Sequence, residues 1–246
     1  MGDCCKRVGS FSNGIPKGIE SNIAGLDVYI STSTQNQSDI AVLMISDIFG
    51  WRFVNNRVLA DTYAEEAGVT VYLPDLFNEE HAPYEKEAME KFNITGFLER
   101  HNPRLQNELV YRIASGIKTT HKKLIVGGYC MGAPAALGLG RQSSPADAVF
   151  IAHPSFLQEK DFEFLAKTCL VICAEHDIMF TPELKKVAHE ITSKKANNGF
   201  ERVYTTWHTF MGTTHGFCVR GDENDPFTAR AMKDAQTLLC NYFKSI

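Results

Sequence analysis

The stretch "KLIVGGYCMGAPAALGLG", residues 123–140, gives the clearest indication of the fold class. It opens as a continuous apolar run, which is typical of a strand buried on both faces of a parallel sheet. It ends in small residues that continue as a helix. Cys130 lies between the two parts and is flanked by Gly128 and Gly132, so the chain must turn sharply there. The stretch therefore predicts a strand, a tight turn and a helix.

Strand and helix signals alternate along the rest of the chain. Five other apolar runs predict strands at 40–46, 69–75, 148–154, 169–177 and 201–208. Helical spacing predicts helices at 55–68, 181–195 and 225–243. Gly68 is the expected C-cap of the first helix and Thr181 the expected N-cap of the second. The alternation indicates an α/β fold, with a mostly parallel, doubly wound sheet and helices on both faces.

One polar stretch interrupts the alternation of strands and helices. Residues 76–103 are longer and more polar than an ordinary connection between a strand and a helix. No linker or charge run divides the chain elsewhere, so we expect a single domain over residues 1–246. Within it, residues 76–103 are expected to form a cap or a substrate-facing insertion.

Composition argues against several classes of protein. The 246 residues are 44% hydrophobic and 22% charged, as in an ordinary globular protein. The net charge of −4 offers no basic surface for nucleic acid. No stretch approaches the ~20 apolar residues that span a bilayer, so a cytoplasmic location without a membrane partner is expected. The seven cysteines are expected to be thiols, and Cys169 and Cys173 lie in an apolar run that favours burial over a metal site.

Cys130 occupies the position of the nucleophile in a G-x-S-x-G elbow, and the sequence here is G-Y-C-M-G. The two glycines remove side chains that would clash in a strained turn. A helix that begins just after the thiol favours the thiolate, because a helix N-terminus carries partial positive charge. The alternative is a buried structural thiol beside glycines that pack a helix. A suitably placed acid and histidine decide between the two.

Both groups follow in the order that an α/β-hydrolase requires. Asp177 closes a predicted strand, and His215 lies in the loop between the last strand and the final helix. His215 would serve as the base for Cys130, and Asp177 would orient the imidazole. The backbone N–H groups of Met131 and Ile48 would form the oxyanion hole.

Other side chains compete for places in this site. His176 adjoins the acid and should point to the other face of the sheet, and His208 ends the preceding strand, so both are expected to be structural. His153 ends another strand and is a candidate for lining the substrate pocket. Trp51 and Phe217 are candidates for its walls.

Five motifs stand at the expected strand ends: "MISDIFG" (44–50), "VYLPDLF" (71–77), "GGYCMGA" (127–133), "AEHD" (174–177) and "THGF" (214–217). Together they resemble the dienelactone hydrolase family, also called carboxymethylenebutenolidases, of the α/β-hydrolase superfamily. The resemblance covers nearly the whole chain, and the N-terminal "GIPKG" (14–18) is similar to the eukaryotic branch. It implies hydrolysis of a small-molecule ester or lactone through an acyl-cysteine, without a cofactor or metal. The triad it implies is Cys130, Asp177 and His215.

The resemblance also implies roles for residues around the triad. A family glutamate that contacts the nucleophile and helps to move its proton to the histidine corresponds to Asp47, which is one methylene shorter. The alternative for Asp47 is an ordinary loop carboxylate. Arg220 is the nearest match to an arginine that holds a substrate carboxylate. Lys86 and Lys91 are candidates for the place of a second such arginine.

Two other functions remain open at this point. A thioesterase or acyl transferase could use the same triad, because thiolate chemistry does not specify the leaving group. A redox-sensing ligand-binding protein could use Cys130 as an oxidisable sensor. Such a sensor would not require Asp177 and His215 in triad order, which favours the hydrolase. We expect no nucleic-acid partner and either a monomer or a homodimer.

Overall fold

A computed structural model describes residues 12–34, 38–104, 107–199 and 202–246. Cys4 and Cys5 lie outside the described residues.

The strands within these ranges are β1 (Ile19–Ile23), β2 (Leu26–Ser31), β3 (Ile40–Ile45), β4 (Thr70–Pro74), β5 (Lys123–Tyr129), β6 (Ala148–Ala152), β7 (Thr168–His176) and β8 (Thr205–Thr214). They form one sheet in the order β1-β2-β4-β3-β5-β6-β7-β8. β3 to β8 run parallel, and β2 pairs antiparallel with both β1 and β4. The predicted mostly parallel sheet is confirmed.

The strand that carries Cys130 at its end lies in the middle of this sheet. β5 is flanked by β3 and β6, and every one of its residues after Lys123 is buried. Apolar side chains on both sides of the strand explain this burial. Gly127 has no side chain to bury, and the ring of Phe150 on β6 occupies the space that a Cβ at this position would need. The central position gives the turn after β5 a rigid base.

Nine helices lie in the described residues: α1 (Val54–Ala67), α2 (Lys86–Glu90), α3 (Ile94–Arg100), α4 (Asn107–Lys118), α5 (Ala133–Gly138), α6 (Glu159–Glu163), α7 (Pro182–Ala196), α8 (Phe217–Arg220) and α9 (Pro226–Ser245). One group is formed by α1, α8 and α9, and a second by α4 to α7. Two predicted caps are confirmed. Gly68 ends α1 with φ of 71°, and the Thr181 hydroxyl accepts a hydrogen bond from the N–H of Leu184 at the start of α7.

The two edges of the sheet differ from the sequence prediction. β1 and β2 were not among the predicted strands, because β1 is largely exposed and lacks the apolar pattern of a buried strand. β8 begins four residues later than the predicted run and continues to Thr214. It is an edge strand with exposed polar side chains, so its hydrophobic pattern understates its length. The extension matters because it carries the chain up to His215.

Residues 76–103 contain the short helices α2 and α3 and lie against the loop that follows β3. The Asp75 carboxylate starts the segment by accepting hydrogen bonds from the N–H groups of Phe77 (2.9 Å) and Glu79 (2.6 Å). The N–H of Ala82 donates to the carbonyl of Ile48 at 2.9 Å. The segment is thus tied to the loop that carries Asp47 and Ile48. Its role as a cap or substrate-facing insertion stays a prediction.

Candidate active site

Cys130 is held on a strained turn directly after the central strand. Its φ is 51°, a left-handed value that is uncommon for a residue other than glycine. A single 3₁₀ turn, Cys130–Gly132, joins β5 to α5. The residue is 1% exposed, so the sulfur faces the interior edge of the sheet rather than open solvent. Strain of this kind is typical of functional sites.

Glycines on both sides of Cys130 make this turn possible because backbone atoms approach them closely. A Cβ at Gly128 would overlap the carbonyl oxygen of Gly132, and a Cβ at Gly132 would lie 2.7 Å from the carbonyl oxygen of Ile45. Neither neighbour can move aside as a flexible side chain could. The turn therefore requires glycine at both positions.

Gly128→Ala is accordingly expected to destabilise the fold by about 3 kcal/mol, as other backbone clashes in packed cores do. Gly116→Ala is the matched control, since an added Cβ there meets only Ile23 at an ordinary 3.6 Å within α4. That control should be neutral or slightly stabilising because alanine favours the helix. Urea unfolding of both variants provides the measurement. Equal stability of the two variants would refute the backbone clash.

His215 and Asp177 reach Cys130 because three parallel strands end at one edge of the sheet. Asp177 follows β7, and His215 follows β8, the neighbour of β7. The His215 Nε2 atom lies 3.1 Å from the Cys130 Sγ atom. On the other side of the ring, Nδ1 lies 2.9 Å and 3.0 Å from the two carboxylate oxygens of Asp177. The structure thus brings the three residues into one continuous chain of polar contacts.

The Asp177 carboxylate is fixed by its own loop, and the imidazole is strongly perturbed. Asp177 accepts hydrogen bonds from the N–H groups of Met179 (2.9 Å) and Phe180 (3.3 Å). Burial alone lowers the pKa of His215, but the charge on Cys130 and the hydrogen bonds with Asp177 and Cys130 outweigh burial and raise it to about 10. The ring therefore favours the protonated form at neutral pH.

The four other described cysteines lack this environment. Cys169, Cys173, Cys218 and Cys240 are buried free thiols. Burial raises the pKa of each of these four thiols, which keeps them protonated and unreactive. The sequence expectation that Cys169 and Cys173 are buried is confirmed.

Ser155 joins the site and was not predicted. Its hydroxyl lies 3.2 Å from the Cys130 Sγ atom and 3.3 Å from the His215 Nε2 atom. It follows β6, the neighbour of β5, so it belongs to the same edge of the sheet. The sequence signal lies in "AHPS", in which His153 is the candidate pocket residue and Ser155 follows two positions later.

Asp47 and Arg220 form a buried ion pair beside the triad. The Arg220 Nε atom lies 3.1 Å from the Asp47 Oδ2 atom, and the two side chains are 2% and 0% exposed. The other Asp47 oxygen accepts hydrogen bonds from the Asn56 amide and the Phe49 N–H, both at 3.2 Å. The Arg220 guanidinium also stacks over the Phe49 ring at 5.0 Å. Arg220 already faces a carboxylate of its own chain. The catalytic role expected of Asp47 stays a prediction.

The remaining predicted residues lie at different distances from this centre. His153 is buried and its ring meets that of His215 edge-on at 5.3 Å, with Phe217 beyond it at 6.2 Å. Burial, together with the charges of His215 and Arg220, holds the pKa of His153 well below its ordinary value. Trp51 is buried, and the guanidinium groups of Arg52 and Arg57 lie 4.3 and 4.8 Å from its ring.

The predicted oxyanion donors belong to the turn after β5 and to the loop after β3. Met131 follows Cys130 in the 3₁₀ turn, and Ile48 belongs to the loop after β3 that Ala82 braces. Both residues are buried. Lys86 and Lys91, the candidates for a second carboxylate-binding residue, are exposed on and after α2. His176 and His208 are also exposed, away from the triad contacts.

Comparison with known proteins identifies the family. The model of the dienelactone hydrolase family matches residues 26–246. The chain belongs to the dienelactone hydrolase family. The hydrolase TropI of Talaromyces stipitatus is 29% identical over 250 residues, which cover 98% of this chain and 94% of that protein. The carboxymethylenebutenolidase homolog of Homo sapiens is 26% identical over 208 residues, which cover 84% of this chain and 82% of that protein.

Solved structures give the same fold. The hyperthermophilic esterase of the archaeon Pyrobaculum calidifontis superposes with a TM-score of 0.62 at 15% identity, over 94% of this chain and 84% of that one. The predicted fold is therefore confirmed. The family match confirms the predicted family and enzyme class, a hydrolase of the dienelactone hydrolase type. The roles of individual residues stay predictions.

Two features are absent from the described ranges. No helix there combines the length and the apolar character needed to cross a bilayer. Within the same ranges, no three histidine, cysteine or carboxylate side chains gather into a group that could hold a metal ion.

Proposed function

We propose that this member of the dienelactone hydrolase family cleaves a small-molecule ester or lactone through an acyl intermediate on Cys130. The observation that carries the proposal is the line of contacts from sulfur to imidazole to carboxylate, at 3.1 Å and 2.9 Å. A buried thiol with a purely structural role would not require a histidine oriented by a second buried side chain. The strained φ of Cys130 supports the same role.

The first half of the reaction forms a thioester. The thiolate of Cys130 attacks the carbonyl carbon of the substrate, and the carbonyl oxygen becomes an oxyanion beside the N–H groups of Met131 and Ile48. The carbon–oxygen bond to the leaving group then breaks. His215 gives its Nε2 proton to that oxygen, so an ester releases an alcohol and a lactone opens.

The second half restores the enzyme. Neutral His215 takes a proton from water, and the resulting hydroxide attacks the thioester carbon. The carbon–sulfur bond breaks, the acid leaves, and the thiolate again pairs with the imidazolium. Asp177 keeps the ring in the tautomer that presents Nε2 to the sulfur and stabilises its positive charge.

The charges around the sulfur favour a neutral substrate. Cys130 and His215 together carry no net charge, whichever of them holds the shared proton. Asp47 and Arg220 neutralise each other as a buried pair, which leaves the buried carboxylate of Asp177 as the excess charge. A second carboxylate brought in by a substrate would have to displace Asp47 from Arg220.

We therefore expect kcat/KM for a neutral lactone to exceed that for its carboxylate-bearing analogue by about tenfold, the effect of roughly one uncompensated charge near a partly screened site. Asp47→Asn should reduce this preference, because it removes the negative charge that neutralises Arg220. Steady-state kinetics on the matched pair of lactones provide the measurement. A wild type that prefers the anionic lactone would contradict the expectation.

A substrate panel tests the proposed function itself. Wild-type protein should hydrolyse p-nitrophenyl acetate and an enol lactone faster than an acyl thioester of the same acyl group. Faster turnover of the thioester would instead support a thioesterase or acyl transferase with the same triad. Inertness toward every activated ester, combined with rapid sulfenylation of Cys130, would support the redox sensor and overturn the proposal.

A further inference from the structure

The Ser155 hydroxyl completes a triangle of polar atoms around the nucleophile. Its sides are 3.1 Å from Cys130 Sγ to His215 Nε2, 3.2 Å from Sγ to Ser155 Oγ, and 3.3 Å from Oγ to Nε2. Ser155 is 0% exposed. Because bulk water does not reach this buried hydroxyl, it donates its hydrogen bond to one of these two neighbours.

Several contacts fix the loop that presents this hydroxyl. The N–H of Ser155 donates to the carbonyl of Cys130 at 2.9 Å, which ties the loop to the nucleophile turn. The residues on either side of Ser155 and Pro154 are strained, with φ of 36° at His153 and 58° at Phe156. Together with Cys130, three residues with left-handed φ lie in the two connected segments that carry the sulfur and the Ser155 hydroxyl. Strain concentrated in this way is kept where it serves a site.

A more distant arginine braces the same loop. Arg104 donates to the carbonyl of Phe156 at 2.7 Å and forms a two-point ion pair with Asp161, with both hydrogen bonds at 2.8 Å. Paired hydrogen bonds between a guanidinium and a carboxylate are geometrically specific. These contacts therefore hold the loop in one position, and the loop in turn fixes where Ser155 lies.

We propose that Ser155 is a catalytic residue that donates its hydroxyl hydrogen bond to the Cys130 thiolate, as a second donor beside the His215 imidazolium. This inference rests on the proposed function, since it assigns a role in the same reaction. No covalent bond to Ser155 forms, and its proton stays on oxygen throughout.

The effect of this donor differs between the states of the reaction. A hydrogen bond to an ionised acceptor is about twice as strong as one between neutral groups, so Ser155 favours the thiolate over the thiol. When the sulfur becomes a thioester it loses its charge and with it the strong bond from Ser155. The hydroxyl is then available to the Nε2 side of the triangle, where the hydrolytic water must also bind. Ser155 should therefore matter more for forming the nucleophile than for the fold.

The pH dependence of Cys130 alkylation tests this role. Iodoacetamide is small enough for a confined site, and mass spectrometry of the Cys130 peptide separates its reaction from that of the other cysteines. In Ser155→Ala the pH of half-maximal alkylation should rise by about one unit relative to wild type, the size expected for loss of one hydrogen bond to a charged group. Acylation by p-nitrophenyl acetate at pH 6 should slow by about tenfold, and the two proteins should converge at high pH.

Control variants separate this role from a structural one. Ser31→Ala removes a buried serine hydroxyl from β2, far from the site, and should leave the alkylation profile unchanged. Ser155→Thr keeps the hydroxyl and should stay close to wild type. Should Ser155→Ala fail to fold, Ser155→Gly, which also lacks the hydroxyl, decides the question.

Superimposable profiles for wild type and the alanine or glycine variant would overturn the role of Ser155. This failure is distinct from failure of the proposed function. If wild type forms an acyl adduct on Cys130 while the serine variants show unchanged profiles, only the role of Ser155 is refuted. If wild type forms no such adduct during turnover, the proposed function is refuted.

Discussion

Cys130→Ala is expected to lower kcat/KM on p-nitrophenyl acetate and on an enol lactone by on the order of 10⁴-fold, with the fold intact. The reason is that the acyl group has no acceptor once the sulfur is gone, although His215 and Asp177 remain in place. Alanine is smaller than cysteine and adds no atom to the turn, so circular dichroism and thermal unfolding should show a folded protein. The measurement is steady-state turnover of both proteins at equal concentration.

Cys130→Ser is the matched variant for this experiment. It keeps the shape of the side chain and its hydrogen bonds with Ser155 and His215, but an alcohol ionises far less readily than a thiol. We expect it to lose roughly 100-fold or more in kcat/KM while it retains wild-type stability. Undiminished turnover in Cys130→Ala would remove Cys130 from the mechanism.

The largest effect on stability is expected at the buried ion pair. Asp47→Ala would leave the Arg220 guanidinium in the interior without the carboxylate that lies 3.1 Å from it. Breaking one side of a buried pair costs about 3–5 kcal/mol, because the remaining charge stays desolvated. Asp47 also accepts hydrogen bonds from Phe49 and Asn56, so the loop after β3 would loosen too. Urea unfolding gives the free energy directly.

An exposed pair on α9 supplies the control for that measurement. Arg230 and Asp234 form an ion pair four residues apart at 2.8 Å, with side chains 78% and 48% exposed. Asp234→Ala should cost about 0.5 kcal/mol or less, because solvent screens such pairs. A loss of stability in Asp47→Ala as small as that in Asp234→Ala would show that Arg220 is satisfied without Asp47.

The sequence could predict the nucleophile turn because everything needed for it is local. The apolar run of β5, the glycines and the small residues of α5 lie within one continuous stretch, and the close backbone approach at Gly128 follows from the turn itself. The order of Asp177 and His215 was also visible, because parallel strands place their carboxyl ends along one edge. Their contacts with Cys130 required the structure.

The features that were missed depend on contacts between distant parts of the chain. Ser155 is 25 residues from Cys130, and no spacing rule marks a serine on a loop after a strand as a partner of the nucleophile. The ion pair of Asp47 with Arg220 joins the loop after β3 to a helix near the C-terminus. Both residues were expected near the site, but the sequence does not show that they would meet each other. β1 was missed for a simpler reason, since an exposed strand leaves no apolar pattern.

The most direct test of the account is to trap the acyl intermediate. Wild-type protein mixed with an enol lactone or p-nitrophenyl acetate, quenched within one turnover and digested, should show the mass of the acyl group on the Cys130 peptide. The adduct should decay at a rate no slower than kcat, and it should be absent from Cys130→Ala. Turnover without any adduct on Cys130, or with the acyl group on another residue such as Ser155, would contradict the proposed mechanism.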